Sequence, residues 1–168
     1  MIALSAVRLQ NKGMFREALY VVCHNIRSLH NVGSIFRTAD GAGVTKLYLC
    51  GYTGHPPRPE ISKVALGAER AVPWEHHYQT WCVLDRLRAQ GVQVIALENR
   101  VEGSVDYREV RPRFPAALLL GNEVEGLSPG LLKRADVIMH IPMYGVKESL
   151  NVAVAFGIAV YKLNEWRR

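Results

Sequence analysis

Five short runs, ALYVVC (18–23), KLYLC (46–50), VQVIAL (92–97), AALLLG (116–121) and VIMHIP (137–142), are apolar almost throughout instead of alternating with polar residues. A strand with one wet face alternates. A strand covered on both faces does not, and that condition is met chiefly in parallel sheets with helices packed on each side. Helical periodicity lies between the runs. Val32, Ile35, Phe36 and Ala39 fall at i, i+3, i+4 and i+7, with Asn31 placed to cap and Gly41 or Gly43 to stop the helix. A second pattern spans Thr80 to Gln90, with Trp81, Leu84 and Leu87 on one face and Gly91 after its end. The alternation predicts an α/β fold: a mostly parallel sheet with helices on both faces.

The chain has 168 residues, 49% of them hydrophobic, enough for one sizeable core without disulfides or metal, so a single domain over 1–168 is expected. Cys23, Cys50 and Cys82 are widely separated, odd in number and form no C-x-x-C pair, which argues against a disulfide framework and a zinc knuckle and favours a reducing, cytoplasmic setting. The N-terminal MIALSAVRLQNKG is too short in its apolar run for a signal peptide, and no stretch reaches membrane-spanning length. Lys+Arg exceed Asp+Glu by 21 to 15, which suits a polyanionic partner; a basic surface kept for solubility is the alternative. GHPPRPE (54–60) reads as an exposed loop with a strand pattern resuming after it, and His76-His77 as loop residues near Trp74 and Tyr78, without a metal-ligand partner.

The last element, from Ser149 to Trp166, contains ten uncharged residues in a row, Val152 to Tyr161. A helix apolar all round must be buried all round. One face meets the sheet, so the other is expected to meet a second copy of the chain in a homodimer.

Ligands of parallel α/β sheets collect at the carboxyl ends of the strands. Three polar segments follow such ends: HNIRSLHNVGSIFRTAD, GNEVEGLSPG and PMYGVKESLN. Glycine-rich dinucleotide and triphosphate fingerprints, the G-x-S-x-G elbow and the H-E-x-x-H zinc motif are all missing. Asn25-x-Arg27, Asn31-x-Gly33-x-x-x-Arg37-Thr38-Ala39, Leu120-Gly121-Asn122-Glu123-x-x-Gly126-Leu127, Ile141-Pro142-Met143 and Glu148-Ser149-Leu150-Asn151-Val152 together resemble the three ordered motifs of the SpoU (TrmH) family of SPOUT RNA 2′-O-ribose methyltransferases. The match spans about residues 19 to 163. The resemblance implies methyl transfer from S-adenosyl-L-methionine to a ribose 2′-hydroxyl of tRNA or rRNA, without a metal. It also implies a dimer whose C-terminal part is tied in a deep trefoil knot, with the cofactor in the knotted loops. No separate N-terminal RNA-binding domain is expected, so recognition falls to the domain itself and its basic residues Arg58, Lys63, Arg70, Arg108, Arg111, Arg113, Arg167 and Arg168. A non-catalytic RNA-binding protein that keeps the fold is the competing reading.

The resemblance assigns catalysis to Arg37, Asn31, Glu123, Ser149 and Asn151. Arg37 lies one turn after Gly33, which would leave room for a substrate backbone beside the guanidinium. A guanidinium is always protonated, so Arg37 suits a phosphate and oxyanion clamp better than a general base; an arginine merely on a solvated helix face is the plain alternative. Asn31 reads as the helix N-cap, and the resemblance adds that its side chain holds Arg37. Arg27 is placed to meet RNA phosphate, if it has a role at all. Glu123 is either an exposed salt-bridge partner or a group that orients its neighbours and accepts a proton, given burial. Ser149 is a natural N-cap for the last helix. Leu97, Gly121, Ile141, Met143 and Leu150 align with the family's cofactor-binding positions and would otherwise be read as core.

Overall fold

The computed structural model describes residues 17–99 and 101–167. The MIALSAVRLQNKG stretch and Arg168 lie outside the described residues. Along the chain the elements are β1 (Leu19–His24), α1 (Leu29–Gly41), β2 (Lys46–Cys50), α2 (Pro59–Ala65), α3 (Ala68–Ala71), β3 (Trp74–His77), α4 (Thr80–Ala89), β4 (Gln93–Leu97), β5 (Val105–Asp106), β6 (Ala116–Leu120), α5 (Pro129–Leu132), β7 (Val137–His140) and α6 (Val152–Asn164).

The seven strands form one sheet in the order β3-β2-β1-β6-β4-β7-β5, and every pairing is parallel. All five apolar runs are strands, and the central ones are buried on both faces because helices cover each side. Leu19, Val21, Cys23, Leu47, Leu49, Ile95 and Leu118 point to the face packed by α1, α2 and α6. Val22, Tyr48, Cys50, Val94, Ala96, Ala117 and Leu119 point to the face packed by α4 and α5. Removing this apolar area from water at ~25 cal/mol per Å² is the main force that holds the sheet between its two helical layers.

Several local expectations need correction. The helix cap at α1 is Ser28, in extended conformation, whose Oγ accepts from Asn31 N at 3.3 Å; Asn31 is already inside the first turn. A serine three residues upstream satisfies an orphan donor of the first turn, Asn31 N, and leaves the asparagine side chain to other partners. At the other end the helix stops as expected, with Gly43 at φ 62°. Gly33 does not open space for a substrate. A Cβ there would lie 2.7 Å from Ile61 O and 2.8 Å from Val64 Cβ, so this glycine lets α2 press against α1.

The proline-rich loop ends in α2 rather than a strand, because Pro59 occupies the first turn, where its missing N–H costs nothing. Trp74 to His77 are an edge strand and not a loop, paired to β2 from Leu47 to Cys50. In α4 the buried face is Thr80, Val83, Leu84 and Leu87, while Trp81 is exposed. The last helix begins at Val152 and is capped by Asn151, whose side chain accepts from Ala153 N at 2.9 Å; Ser149 precedes it in the turn. Within the single chain this helix is buried on one face only, through Val152, Phe156, Ala159, Val160 and Leu163, and Val154 (53% exposed) and Tyr161 (55%) are left open.

Candidate active site

The carboxyl ends of β4, β6 and β7 open onto a cleft of about 460 Å³, within the ~300–1,000 Å³ usual for small-molecule sites. Three turns wall it: Leu97 to Asn99 after β4, Leu120 to Leu127 after β6, and Ile141 with Glu148 to Val152 after β7. Their apolar side chains suit an adenine-sized ring, and the backbone of the Gly121–Gly126 turn supplies polar groups. Gly126 takes φ 65°, and its missing Cβ makes room for the Glu98 carboxylate, which accepts from Leu127 N at 2.8 Å. Gly121 packs as tightly, for a Cβ there would lie 2.9 Å from Gly126 C and from Leu127 Cγ.

At the rim, three sequence-predicted residues from three separate elements meet. Asn31 Nδ2 donates to Glu123 Oε1 at 2.9 Å, and Asn151 Nδ2 donates to Asn31 Oδ1 at 3.0 Å. The other carboxylate oxygen of Glu123 accepts from Arg27 N at 3.3 Å. Glu123 is therefore neither an exposed salt-bridge partner nor deeply buried; it is a half-buried acceptor that holds two neighbours. Ser149, Leu97, Gly121, Ile141 and Leu150 line the cleft as expected. Five expected residues lie outside the lining: Asn31, Asn151 and Arg27 are linked to or through Glu123 at the rim, Met143 is half-buried, and Arg37 is exposed farther along α1, with no hydrogen bond or ion pair to any described residue.

Two asparagines that sequence reasoning gave no role hold the cleft together. Asn122 is 6% exposed; its Nδ2 donates to Asn25 O at 2.9 Å and Tyr52 Oη at 2.5 Å, while its Oδ1 accepts from Val124 N and Glu125 N. Asn25, at φ 56°, in turn accepts from Tyr52 N through Oδ1. Asn99 bonds both backbone groups of Ile141 and donates to Glu148 O, each at 3.2 Å, thereby clasping the two ends of the 141–148 segment. The available signal was positional: each is a lone asparagine within two residues of the end of a buried parallel strand.

The electrostatics exclude one class of chemistry. Cys23 and Cys50 lie at the strand ends beside the site, but burial pushes both thiols up, Cys50 to about 12, so neither supplies a thiolate at neutral pH. Burial also lowers the pKa of His24, which bonds Thr80 Oγ1 at 2.7 Å and accepts from Asn25 Nδ2, so it remains neutral in the network. Among the described residues no group of three His, Cys, Asp or Glu side chains could hold a metal ion, and no helix is long and apolar enough to cross a membrane.

The sequence model of the SpoU rRNA Methylase family matches residues 18–161, which contain all three walls of this cleft. The chain belongs to the SpoU methylase family. It is 36% identical over 153 residues to a tRNA (guanosine(18)-2′-O)-methyltransferase of Aquifex aeolicus, covering 90% of this chain and 71% of that one. Its fold matches the AdoMet-bound rRNA methyltransferase of Sinorhizobium meliloti with a TM-score of 0.82 at 36% identity, covering 88% of this chain and 56% of that one. A second structure, described in terms of 2-OH methylation of C/U34 on tRNA, matches with a TM-score of 0.79 at 30% identity, covering 89% of this chain and 95% of that one. The chain thus spans little more than half the length of one relative and nearly the whole of another.

Proposed function

We propose that this protein transfers a methyl group from S-adenosyl-L-methionine to a ribose 2′-hydroxyl of RNA, with tRNA as the favoured substrate. The observation that carries the reading is the meeting of Asn31, Glu123 and Asn151 at the mouth of a cofactor-sized cleft in a chain of this family. The preference for tRNA rests on the near full-length match to the structure described in terms of tRNA methylation at C/U34. When bound, S-adenosylmethionine supplies the electrophilic methyl of its sulfonium.

The residues divide the remaining work. Leu97, Ile141, Leu150 and the Gly121 turn exclude water from the apolar part of the donor, and Met143 supports the 141–150 wall from outside. Glu123 holds Asn31, and Asn31 holds Asn151, so the polar rim is fixed before RNA arrives. This matters because alignment of donor and acceptor contributes ~7–11 kcal/mol in reactions of this type. Asn31, Asn151 and Ser149 offer amide and hydroxyl groups to the sugar. Arg37 and Arg27 are exposed cations for the phosphates beside it, and Arg37 also stabilises the oxygen as its proton passes to solvent water and the methyl moves from sulfur to oxygen.

The proposal extends to the assembly. The open apolar side of α6, with Val154 and Tyr161, is the expected homodimer contact. A trefoil knot in the C-terminal part is in keeping with β4 lying between β6 and β7. The free cysteines suit a single domain working in the cytoplasm.

The test is incubation with tRNA, ribosomal RNA fragments and methyl-labelled S-adenosylmethionine, followed by digestion of the product to nucleosides. Label in a 2′-O-methylnucleoside from tRNA is the expected result, and Arg37→Lys abolishes it while leaving cofactor affinity intact. RNA binding without methylation in the presence of cofactor would replace the enzyme with a non-catalytic RNA-binding protein.

A further inference from the structure

The edge of the sheet beyond β2 carries a feature that methyl transfer itself does not use. Trp74 and His76 alternate along β3, so their rings share the face on which α1 and α2 pack, and Tyr78 follows just past the strand's end. His55, from the loop that leads into α2, lies on them. Its ring stacks on Trp74 with centroids 5.7 Å apart and planes 24° apart, and sits 4.6 Å from His76. His76 in turn meets Tyr78 edge-on at 5.1 Å. Four rings therefore form one continuous file at the protein surface. Tyr78 is 84% exposed and His55 is exposed as well, so among the described residues nothing covers their outer faces.

The file is anchored to the active site and does not hang free. His76 Nε2 donates to Gly51 O at 3.1 Å, and the next residue, Tyr52, is tied to Asn25 by its backbone and to Asn122 by its hydroxyl. Asn122 immediately precedes Glu123 in the turn. The exposed ring of Tyr52 thus bridges the file and the polar rim. Arg58 and Lys63 on α2 and Arg70 on α3 are exposed on the same side of the sheet, and no ion pair links Arg58 or Lys63 to a described carboxylate.

We infer that the Trp74–His55–His76–Tyr78 file is a stacking platform for unpaired RNA bases adjacent to the ribose held at the Asn31–Glu123 rim, with Arg58, Lys63 and Arg70 tracking their phosphates. The inference rests on the proposed RNA substrate. Its chemistry is that of single-strand recognition: every base has a π-face, aromatic and histidine rings accept it without regard to sequence, and flanking cations follow the backbone. A purely apolar patch would suit a protein partner better. Two of the four rings here are imidazoles and a third carries a hydroxyl, so the patch is polar as well as flat. The partner is accordingly a loop or single strand and not a continuous duplex, whose bases are stacked on one another.

The experiment measures affinity of the whole protein for a tRNA anticodon stem-loop and for a fully paired RNA hairpin stem, by fluorescence anisotropy, beside S-adenosylmethionine affinity by calorimetry. Tyr78→Ala and His55→Ala are each expected to weaken stem-loop binding about 5- to 150-fold, the equivalent of ~1–3 kcal/mol per lost stack. Tyr78→Phe restores it, cofactor affinity is unchanged, and in turnover the loss falls on KM for RNA with kcat retained at saturation. The near-complete exposure of Tyr78 means that its removal leaves folding intact, and an unchanged melting temperature checks this. Undiminished stem-loop binding by the double variant Tyr78→Ala/His55→Ala would overturn the platform, as would equal preference of the wild type for the paired stem. Ring-dependent RNA binding by a protein that methylates nothing would uphold the platform and overturn the methyl-transfer reading, so the two fail separately.

Discussion

The turn after β6 and the segment after β7 wall the same cleft, yet they are held in opposite ways. The first is fastened from within. Asn122 is buried, and its amide engages four groups from three parts of the chain. The second lies almost entirely in solvent, with Tyr144 85% and Val146 98% exposed, and Asn99 clasps it at its ends. Local stability follows the density of buried contacts and satisfied backbone groups. One wall is thus a fixed reference, and the other is the part that cofactor binding can order. A site that must admit a nucleoside-sized donor and then align it has use for both.

The largest expected effect breaks the fixed wall. Asn122→Ala leaves Asn25 O, Val124 N and Glu125 N without their partner and costs about 2–4 kcal/mol, read as a lower midpoint in urea unfolding at unchanged slope. Gly33→Ala should cost about 1–3 kcal/mol by overpacking α1 against α2, a loss read in the same titration, with the cleft itself left alone. The adaptable wall should respond differently. Asn99→Ala, by releasing the ends of the 141–148 segment, is expected to lower S-adenosylmethionine affinity by about tenfold in calorimetry while shifting the unfolding midpoint much less than Asn122→Ala does.

Between the walls, Glu123→Gln can no longer accept from both Asn31 and Arg27. It should slow transfer by up to about 10²-fold in single-turnover kinetics with cofactor affinity preserved, because misplaced positioning groups cost rate rather than binding. The smallest effect concerns pH. Burial holds the His24 pKa below its ordinary 6.5, so the folded state binds the proton less readily than the unfolded chain. His24 therefore contributes stability that is fully present above pH 6.5 and is lost as pH falls through its depressed folded value. Thermal melts from pH 8 downward should show this decline, and His24→Gln should flatten it.

The same contrast explains what could be read from the sequence. The strands with covered faces announce themselves by apolar continuity, and Leu19–His24, Lys46–Cys50, Gln93–Leu97, Ala116–Leu120 and Val137–His140 all match within two residues at either end. Edge strand β3, WEHH, has no such continuity, because an edge needs no burial on its open side. Helix α2 was hidden by prolines that mark a loop when counted and a helix start when Pro59 is placed at the first turn. At the site, motif resemblance placed Asn31, Glu123 and Asn151 in one pocket but gave Asn31 the task of holding Arg37; its bonds to Glu123 and Asn151 went unread, since a chain separation of 92 or 120 residues leaves no local signal. Asn99 went unread for the same reason: its partners, Ile141 and Glu148, are 42 and 49 residues away.

Hydrogen exchange of the full chain, followed with and without saturating S-adenosylmethionine, tests the central claim most directly. The account predicts new protection in residues 97–99, 120–127 and 141–152, greatest in the exposed 143–150 segment and smallest around the already fastened Asn122. Protection confined to one of these turns, or appearing at a surface away from all three, would contradict a donor site formed where they meet.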